Sequence, residues 1–469
     1  MGADSAGAAL QAYLHRVESW RRTSVNRRIF AAMVTVGAGS LALKVASTGK
    51  DMVVAAHFGT SDAIDAFFIA LTVPTFVIHV IAGSLPAALV PAYVRVRERE
   101  GAAAAGRLLS GILGSVVVAA VAASALLAWS APALLPVVGA WFDGEKLAMT
   151  RNLFLLLVPA TLFGGITSLL SAILNAEERF ALPSVTPMLA PVMAVVFLIA
   201  AVDRWGVYAL GVGTLAGFAL EAGILAGVLY RRRLLAAPSW RRWHPETRHV
   251  LSQYLPMVLG AAVMGSSPLI DQAMAATLGS GSVATLGYGS KVVAAALGVG
   301  VTAVTTAIFP HFSAMVATND WAGVRQTLST YSRLVLVGGV AMVLLVVAFS
   351  TPIVRLLFER GAFSEADTRA VAQVQALLAL QIPFYVLGMI AVRLLSAMSG
   401  NRILMWISFG NFVVNIVGNY VFMRLWGVAG IALATSLVYV IATSVAYRCV
   451  IVRINRLSGA ALAPARAAS

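Results

Sequence analysis

The sequence predicts an all-α polytopic membrane protein of about 12 transmembrane helices, built as two six-helix lobes related by a pseudo-two-fold axis along the membrane normal. Three observations predict it. Of 469 residues, 60% are hydrophobic and 11% charged, with a mean hydropathy of +0.88, whereas soluble chains carry about 25% charged residues. Arginines recur in alternate connections between apolar runs. Several segments also return in the same order in the second half of the chain.

Apolar runs reach the roughly 20 residues that a helix needs to cross a bilayer. A helix satisfies its own backbone there, and the alternation of a transmembrane barrel is absent. The opening segment, 1–28, has neither an apolar core nor a small-residue cleavage site, so it is no signal peptide. It reads as a cytoplasmic amphipathic segment. Spans follow at about 29–48, 66–94, 106–129, 151–174, 185–202 and 207–230, forming an N-terminal lobe over 29–230. After a basic cytoplasmic linker, 231–249, come about 250–277, 283–310, 329–350, 371–399, 403–423 and 427–450, a C-terminal lobe over 250–450. A cytoplasmic tail, 451–469, ends the chain.

The net charge of +15 would suit a nucleic-acid partner, but its distribution follows topology. Arg21, Arg22, Arg27 and Arg28 precede the first span, and Arg95, Arg97 and Arg99 follow the second. Arg179, Arg231, Arg232, Arg233, Arg402, Arg448, Arg453 and Arg456 continue the series on the same side. The positive-inside rule then places both termini in the cytoplasm, and no nucleic acid is expected.

The repeat is ordered. "DMVVAAHFGTS" from Asp51 returns as "DQAMAATLGSG" from Asp271, and "LLSAILNAEERF" from Leu169 as "LLSAMSGNRIL" from Leu394. "RWGVYALGVGTL" returns as "LWGVAGIALATS", placing Trp205 with Trp426. Such parallel repeats are a transporter architecture with the site between the halves.

Charge inside the spans marks the site. A charge at mid-bilayer costs several kcal/mol unless it meets water or a partner. Snorkelling to an interface would serve Lys50 and Lys291; for Lys44 and Arg393 a water-filled cavity fits better. Together with Asp65 and His79 these residues suggest a cationic cavity for a phosphate or diphosphate headgroup, which lysine meets as a point charge. Asn411, Asn415 and Asn419 lie four apart on one helix face. They either bond neighbouring helices or, with Asp271, supply oxygen ligands to a coupling cation. Glu221 is a candidate proton carrier or the partner of a base. There is no Walker loop, the six histidines lack metal spacing, and Cys449 is the sole cysteine. No enzyme and no cofactor are expected.

"GTSDAIDAFFIALTVP", "ILNAEERFALPSVTPMLAPV", "GSGSVATLGYGSKVVAAALGVGVTAVTTAIFP", "LLFERGAFSEADT" and "NIVGNYVFMRLWGVAGIALATSLV" resemble the MurJ/MviN lipid II flippases of the MOP (MATE-like) exporter superfamily. The resemblance covers about 39–450. It implies movement of an undecaprenyl-diphosphate-linked glycan from the inner to the outer leaflet of the bacterial inner membrane, by a monomer surrounded by membrane lipids and without covalent chemistry. It places the family's cavity arginines on Lys44, Lys50 and Lys291, and its sodium site on Asp271, Asn415, Asn419 and Thr435. The family's second-helix basic pair falls near Ile78 and His79. The family has fourteen helices against the twelve expected here, so the glycan is either lipid II or another repeat, such as an exopolysaccharide unit, on the same carrier. A MATE-type antiporter of small cations would prefer an acidic cavity, and a non-transporting scaffold would be indifferent to Lys44 and Lys291.

Overall fold

The computed structural model describes residues 32–139, 142–232 and 265–467, with positions 234, 250, 254, 258 and 262 between them. The expected segment 1–28, most of the linker 231–249 and most of 250–264 lie outside the described residues. Among those described, every regular element is helical, and eight stretches are long and apolar enough to cross a membrane.

The first helix runs through 32–58 and the second is Asp62–Glu100. The expected boundaries, 48 and 66, left out Lys50 and Asp51 on one side and Asp62 and Asp65 on the other. The structure instead carries Lys50 and Asp51 on the first helix and Asp62 and Asp65 in the first turn of the second, because these charges find partners there. Ala102–Val138, Gly144–Leu157, Ala160–Ala176, Leu189–Trp205 and Val207–Arg231 complete the N-terminal half. The C-terminal half holds Ser267–Ala275, Ser282–Ala307, Phe309–Ala317, Trp321–Ala348, Ser350–Phe358, Glu365–Ala379, Ile382–Ala397 and Asn401–Ala467, the last broken at Trp426 and Gly427.

Local backbone geometry recurs between the halves. Gly206 (φ 52, ψ −133) breaks the chain after Trp205, and Gly427 (φ 57, ψ −134) does so after Trp426. Only glycine adopts that backbone without strain. Helix Ala160–Ala176 closes through Arg179 N–H to Leu174 O at 2.8 Å, with Glu178 at φ 57. Helix Ile382–Ala397 closes through Gly400 N–H to Leu395 O at 2.7 Å, with Ser399 at φ 59. The backbone thus pairs Leu174 with Leu395, four positions away from the register in which Leu169 matches Leu394. Side-chain similarity misled there, since both segments repeat leucine at helical spacing. Asp143 and Ser364, which cap the helices that follow them, occupy corresponding places too.

Burial shows how the halves meet. Val54, Ile64, Phe67 and Leu153 share one core with Ala284, Tyr288, Phe358 and Phe363 of the other half. Ile69 and Val138 similarly join Val283, Leu378 and Ile431. Two further cores stay apart. Leu89, Leu108, Leu169 and Leu225 pack within the N-terminal half, with Val250 at the edge, and Phe312, Val324, Leu394 and Val450 pack within the C-terminal half. The separate cores lie at the end carrying Arg97, Arg179, Arg402 and Arg453; the shared core lies at the end carrying Asp62, Asp143 and Glu359. The halves are fused at the second end and parted at the first.

The fused end is closed by main chain. Gly59 (φ 53), Gly281 (φ 77) and Gly361 (φ 60) cross the opposite half so closely that a Cβ on any of them would fall within 3.0 Å of a carbonyl oxygen of Ala362, Thr60 or Ala56 respectively. Ala362 N–H donates to Ala56 O at 2.8 Å, and the Thr60 hydroxyl donates to Asp367. Beneath this seal Tyr288 is wrapped by Phe68, Phe358 and Phe363, with ring centroids 5.7, 5.1 and 5.7 Å away. Its hydroxyl is buried with no hydrogen-bond partner among the described residues, a burden of about 1–3 kcal/mol. Tyr288→Phe should therefore raise the thermal unfolding midpoint in detergent; a lowered midpoint would reveal an essential bond to that hydroxyl.

Candidate functional site

Two helices from opposite halves, 32–58 and Ser282–Ala307, carry the cationic residues. Asp51, only 3% exposed, joins them: its carboxylate meets Lys50 Nζ at 2.9 Å and Lys291 Nζ at 3.2 Å. An isolated cation at this depth would cost several kcal/mol; one carboxylate shared between two lysines offsets that cost while leaving net positive charge. Lys44 lies two helical turns before Asp51, on the same face, and is exposed. Its Nζ sits 3.3 Å from where a Cβ on Gly298 would be, so glycine there makes room for the ammonium. Gly298 is in turn two turns beyond Lys291. The pairs Lys44–Gly298 and Asp51–Lys291 thus stack along one crossing between the halves, directly beneath the seal.

Of the other residues expected in the cavity, Asp65 is placed elsewhere. It is fully buried and accepts hydrogen bonds from Gly281 N–H and Ala284 N–H, each at 2.7 Å, and from Lys146 Nζ at 2.8 Å. It caps the helix Ser282–Ala307 across the seal, where exposed amide groups and the helix dipole favour a carboxylate. Lys146 also meets Asp62 at 2.5 Å, so this buried lysine is shared between two carboxylates of the second helix. His79 is exposed on Asp62–Glu100, and Arg393 is partly buried on Ile382–Ala397.

The amide stripe does converge on Asp271. This carboxylate, 8% exposed, accepts from Asn415 Nδ2 at 3.0 Å and Asn419 Nδ2 at 2.6 Å on one oxygen, and from Thr435 Oγ1 at 3.2 Å on the other. The carbonyl oxygens of both asparagines are buried with no partner among the described residues. Turning the two amides would present those oxygens beside the carboxylate, a donor set suited to a hard monovalent cation. Asn411 lies one turn away and lines a neighbouring cavity. Glu221 is buried in the other half, where the Thr186 hydroxyl donates to it at 3.5 Å. Among the described residues no three His, Cys, Asp or Glu side chains cluster as transition-metal ligands.

Two residues of consequence were absent from the expected site. Asp51 adjoins Lys50 in sequence, and that adjacency was its available signal. Lys146 is one of only four lysines; nothing in its own segment places it against a helix some 80 residues earlier.

The sequence model of the family described as "Lipid II flippase MurJ" matches residues 54–463. The chain belongs to the MurJ lipid II flippase family. It is 26% identical over 437 residues to the lipid II flippase MurJ of Burkholderia cenocepacia, covering 87% of this chain and 80% of that one. It is 25% identical over 445 residues to a probable lipid II flippase MurJ of Vibrio cholerae, covering 91% and 83%. Among solved structures it resembles lipid II flippase MurJ in an inward closed conformation, with a TM-score of 0.76 at 21% identity over 91% of this chain and 90% of that one. It also resembles an inward-facing multidrug resistance MATE transporter of the MOP superfamily, with a TM-score of 0.75 at 15% identity over 91% and 99%. The fold is therefore that of MurJ and MATE transporters. Family and helices together make this a multi-pass protein of the bacterial inner membrane, and its family is one of transporters rather than enzymes.

Proposed function

We infer that this chain is a flippase that moves lipid II, an undecaprenyl-diphosphate-linked glycan, from the inner to the outer leaflet by alternating access. The observation that carries this reading is Lys50 and Lys291 held by Asp51, with Lys44 on the same face, at the crossing of the two halves under a closed seal, the halves having separate cores toward the open, arginine-rich end. Twelve spans in two six-helix lobes, with both termini in the cytoplasm, would make that open end the cytoplasmic one. The recurring backbone at Gly206 and Gly427 supports this arrangement. A diphosphate entering there meets Lys44, which is exposed, and then competes with Asp51 for Lys50 and Lys291. Capture of Lys291 by the headgroup loosens the link between the halves through Asp51, so loading favours opening of the seal. Sodium at Asp271, Asn415, Asn419 and Thr435, or a proton on Glu221, would couple the return. The carrier works as a monomer within membrane lipids.

Complementation tests this reading. In a bacterium depleted of its own lipid II flippase, the native chain should restore growth, and Lys44→Gln with Lys291→Gln should not. Failure of the native chain at normal membrane levels would exclude lipid II and direct the search to another glycan, such as an exopolysaccharide repeat, on the same carrier. Rescue by the double variant would remove the lysines from the mechanism.

A further inference from the structure

We propose that the cavity inside the C-terminal half is a saccharide chamber, holding the sugar portion of the substrate while the lysines hold its diphosphate. This rests on the flippase reading above. The cavity has a volume of about 470 Å³ and is walled by residues of 267–297, 378–392 and both limbs of Asn401–Ala467. That volume suits one small ligand rather than a lipid tail.

Its wall has an unusual chemistry for a membrane interior. Gln381, Tyr385, Asn411 and Tyr439 all line it, and none makes a side-chain hydrogen bond among the described residues. Gln381 is 6% exposed, so its amide has the cavity as its only outlet. Tyr385, Asn411 and Tyr439 are partly exposed along the same wall, so four polar side chains are free to bond a ligand rich in hydroxyls. The Tyr385 and Tyr439 rings stand 5.0 Å apart at 64°, forming an aromatic corner on the wall. A pyranose has the matching surfaces: an apolar C–H face and a belt of hydroxyls.

Charge argues the same way. Asp271 is the one charged residue on the wall, and its carboxylate is already engaged by Asn415, Asn419 and Thr435. It would repel a phosphate, and the open amides would be wasted on a polyprenyl tail. Connectivity completes the argument. Gly287, Ser290 and Ala294 line the chamber from the same helix, Ser282–Ala307, that carries Lys291, so the diphosphate site and the chamber share one wall.

The test measures binding of two probes to the full chain in nanodiscs: undecaprenyl diphosphate and an undecaprenyl-diphosphate-linked disaccharide without peptide. The disaccharide should tighten binding to the native chain at least tenfold. Asn411→Leu and Tyr385→Ala should erase that increment and leave undecaprenyl diphosphate binding unchanged. Ala294→Phe, which fills the chamber from an exposed position on its wall, should do the same, so the result does not hang on one variant's folding. Equal affinity of the native chain for both probes would overturn the chamber and leave the flippase reading standing. An increment that survives all three variants, or one that arises only when a peptide is added to the disaccharide, would overturn it as well. Binding of neither probe would remove the flippase reading itself.

Discussion

Gly361→Val should leave the chain folded in the membrane but unable to close at its fused end. Gly361 holds φ 60, and a Cβ there would lie within 3.0 Å of the Ala56 carbonyl oxygen. The left-handed backbone alone costs a non-glycine residue roughly 1–2 kcal/mol, more for a β-branched one. The collision must also be relieved by breaking the Ala362–Ala56 hydrogen bond. Because the opposing atom is main chain, no rotamer change can make room. A total near 3 kcal/mol shifts a two-state equilibrium by more than a hundredfold, since about 1.4 kcal/mol is a factor of ten. The single native cysteine makes this measurable. In a Cys449→Ser background, Thr60→Cys should resist a membrane-impermeant maleimide when Gly361 is present and react readily with Gly361→Val. Protection in both would mean that the seal tolerates the side chain.

Asp51→Asn should abolish transport. The carboxamide cannot neutralise Lys50 and Lys291, which would then face each other across the two halves. Removing one partner of a buried ion pair costs about 3–5 kcal/mol; the Lys291 side chain is 41% exposed, so solvent screening brings the expected loss to the lower part of that range or below it. The thermal midpoint should fall, and complementation should drop to the level of the empty vector. Adding Lys291→Gln should restore the midpoint without restoring growth. That split separates the carboxylate's role in holding the halves from the lysine's role in binding. Growth with Asp51→Asn alone would exclude the proposed competition between Asp51 and the headgroup.

What the sequence reveals and what it hides differ in physical kind. Helical spans are legible because lipid enforces length and hydropathy residue by residue. The convergence of Asn415 and Asn419 on Asp271 was legible because a stripe at helical spacing must face one direction, and a buried carboxylate needs such donors; Thr435 came only with the family resemblance. Asp65 misled for an equally clear reason: a carboxylate near lysines in sequence looks like a cavity group, whereas its partners are Lys146, 81 residues on, and two amide groups more than 200 residues away. The glycine seal is also non-local. Gly59 and Gly361 matter only to each other's neighbours, and neither carries chemistry that a sequence pattern could announce.

The lysine set has an electrical consequence. Lys44, Lys50 and Lys291 with Asp51 carry two net positive charges, and a lipid-linked diphosphate carries about two negative ones. On the proposed reading the loaded carrier would cross its transition nearly neutral and almost blind to voltage. The empty carrier would return with its charge bare, and an interior-negative membrane would favour that return by up to about 2.3 kcal/mol per charge for each 100 mV the charges traverse. Flipping would be driven by substrate, and resetting by the cell's own potential.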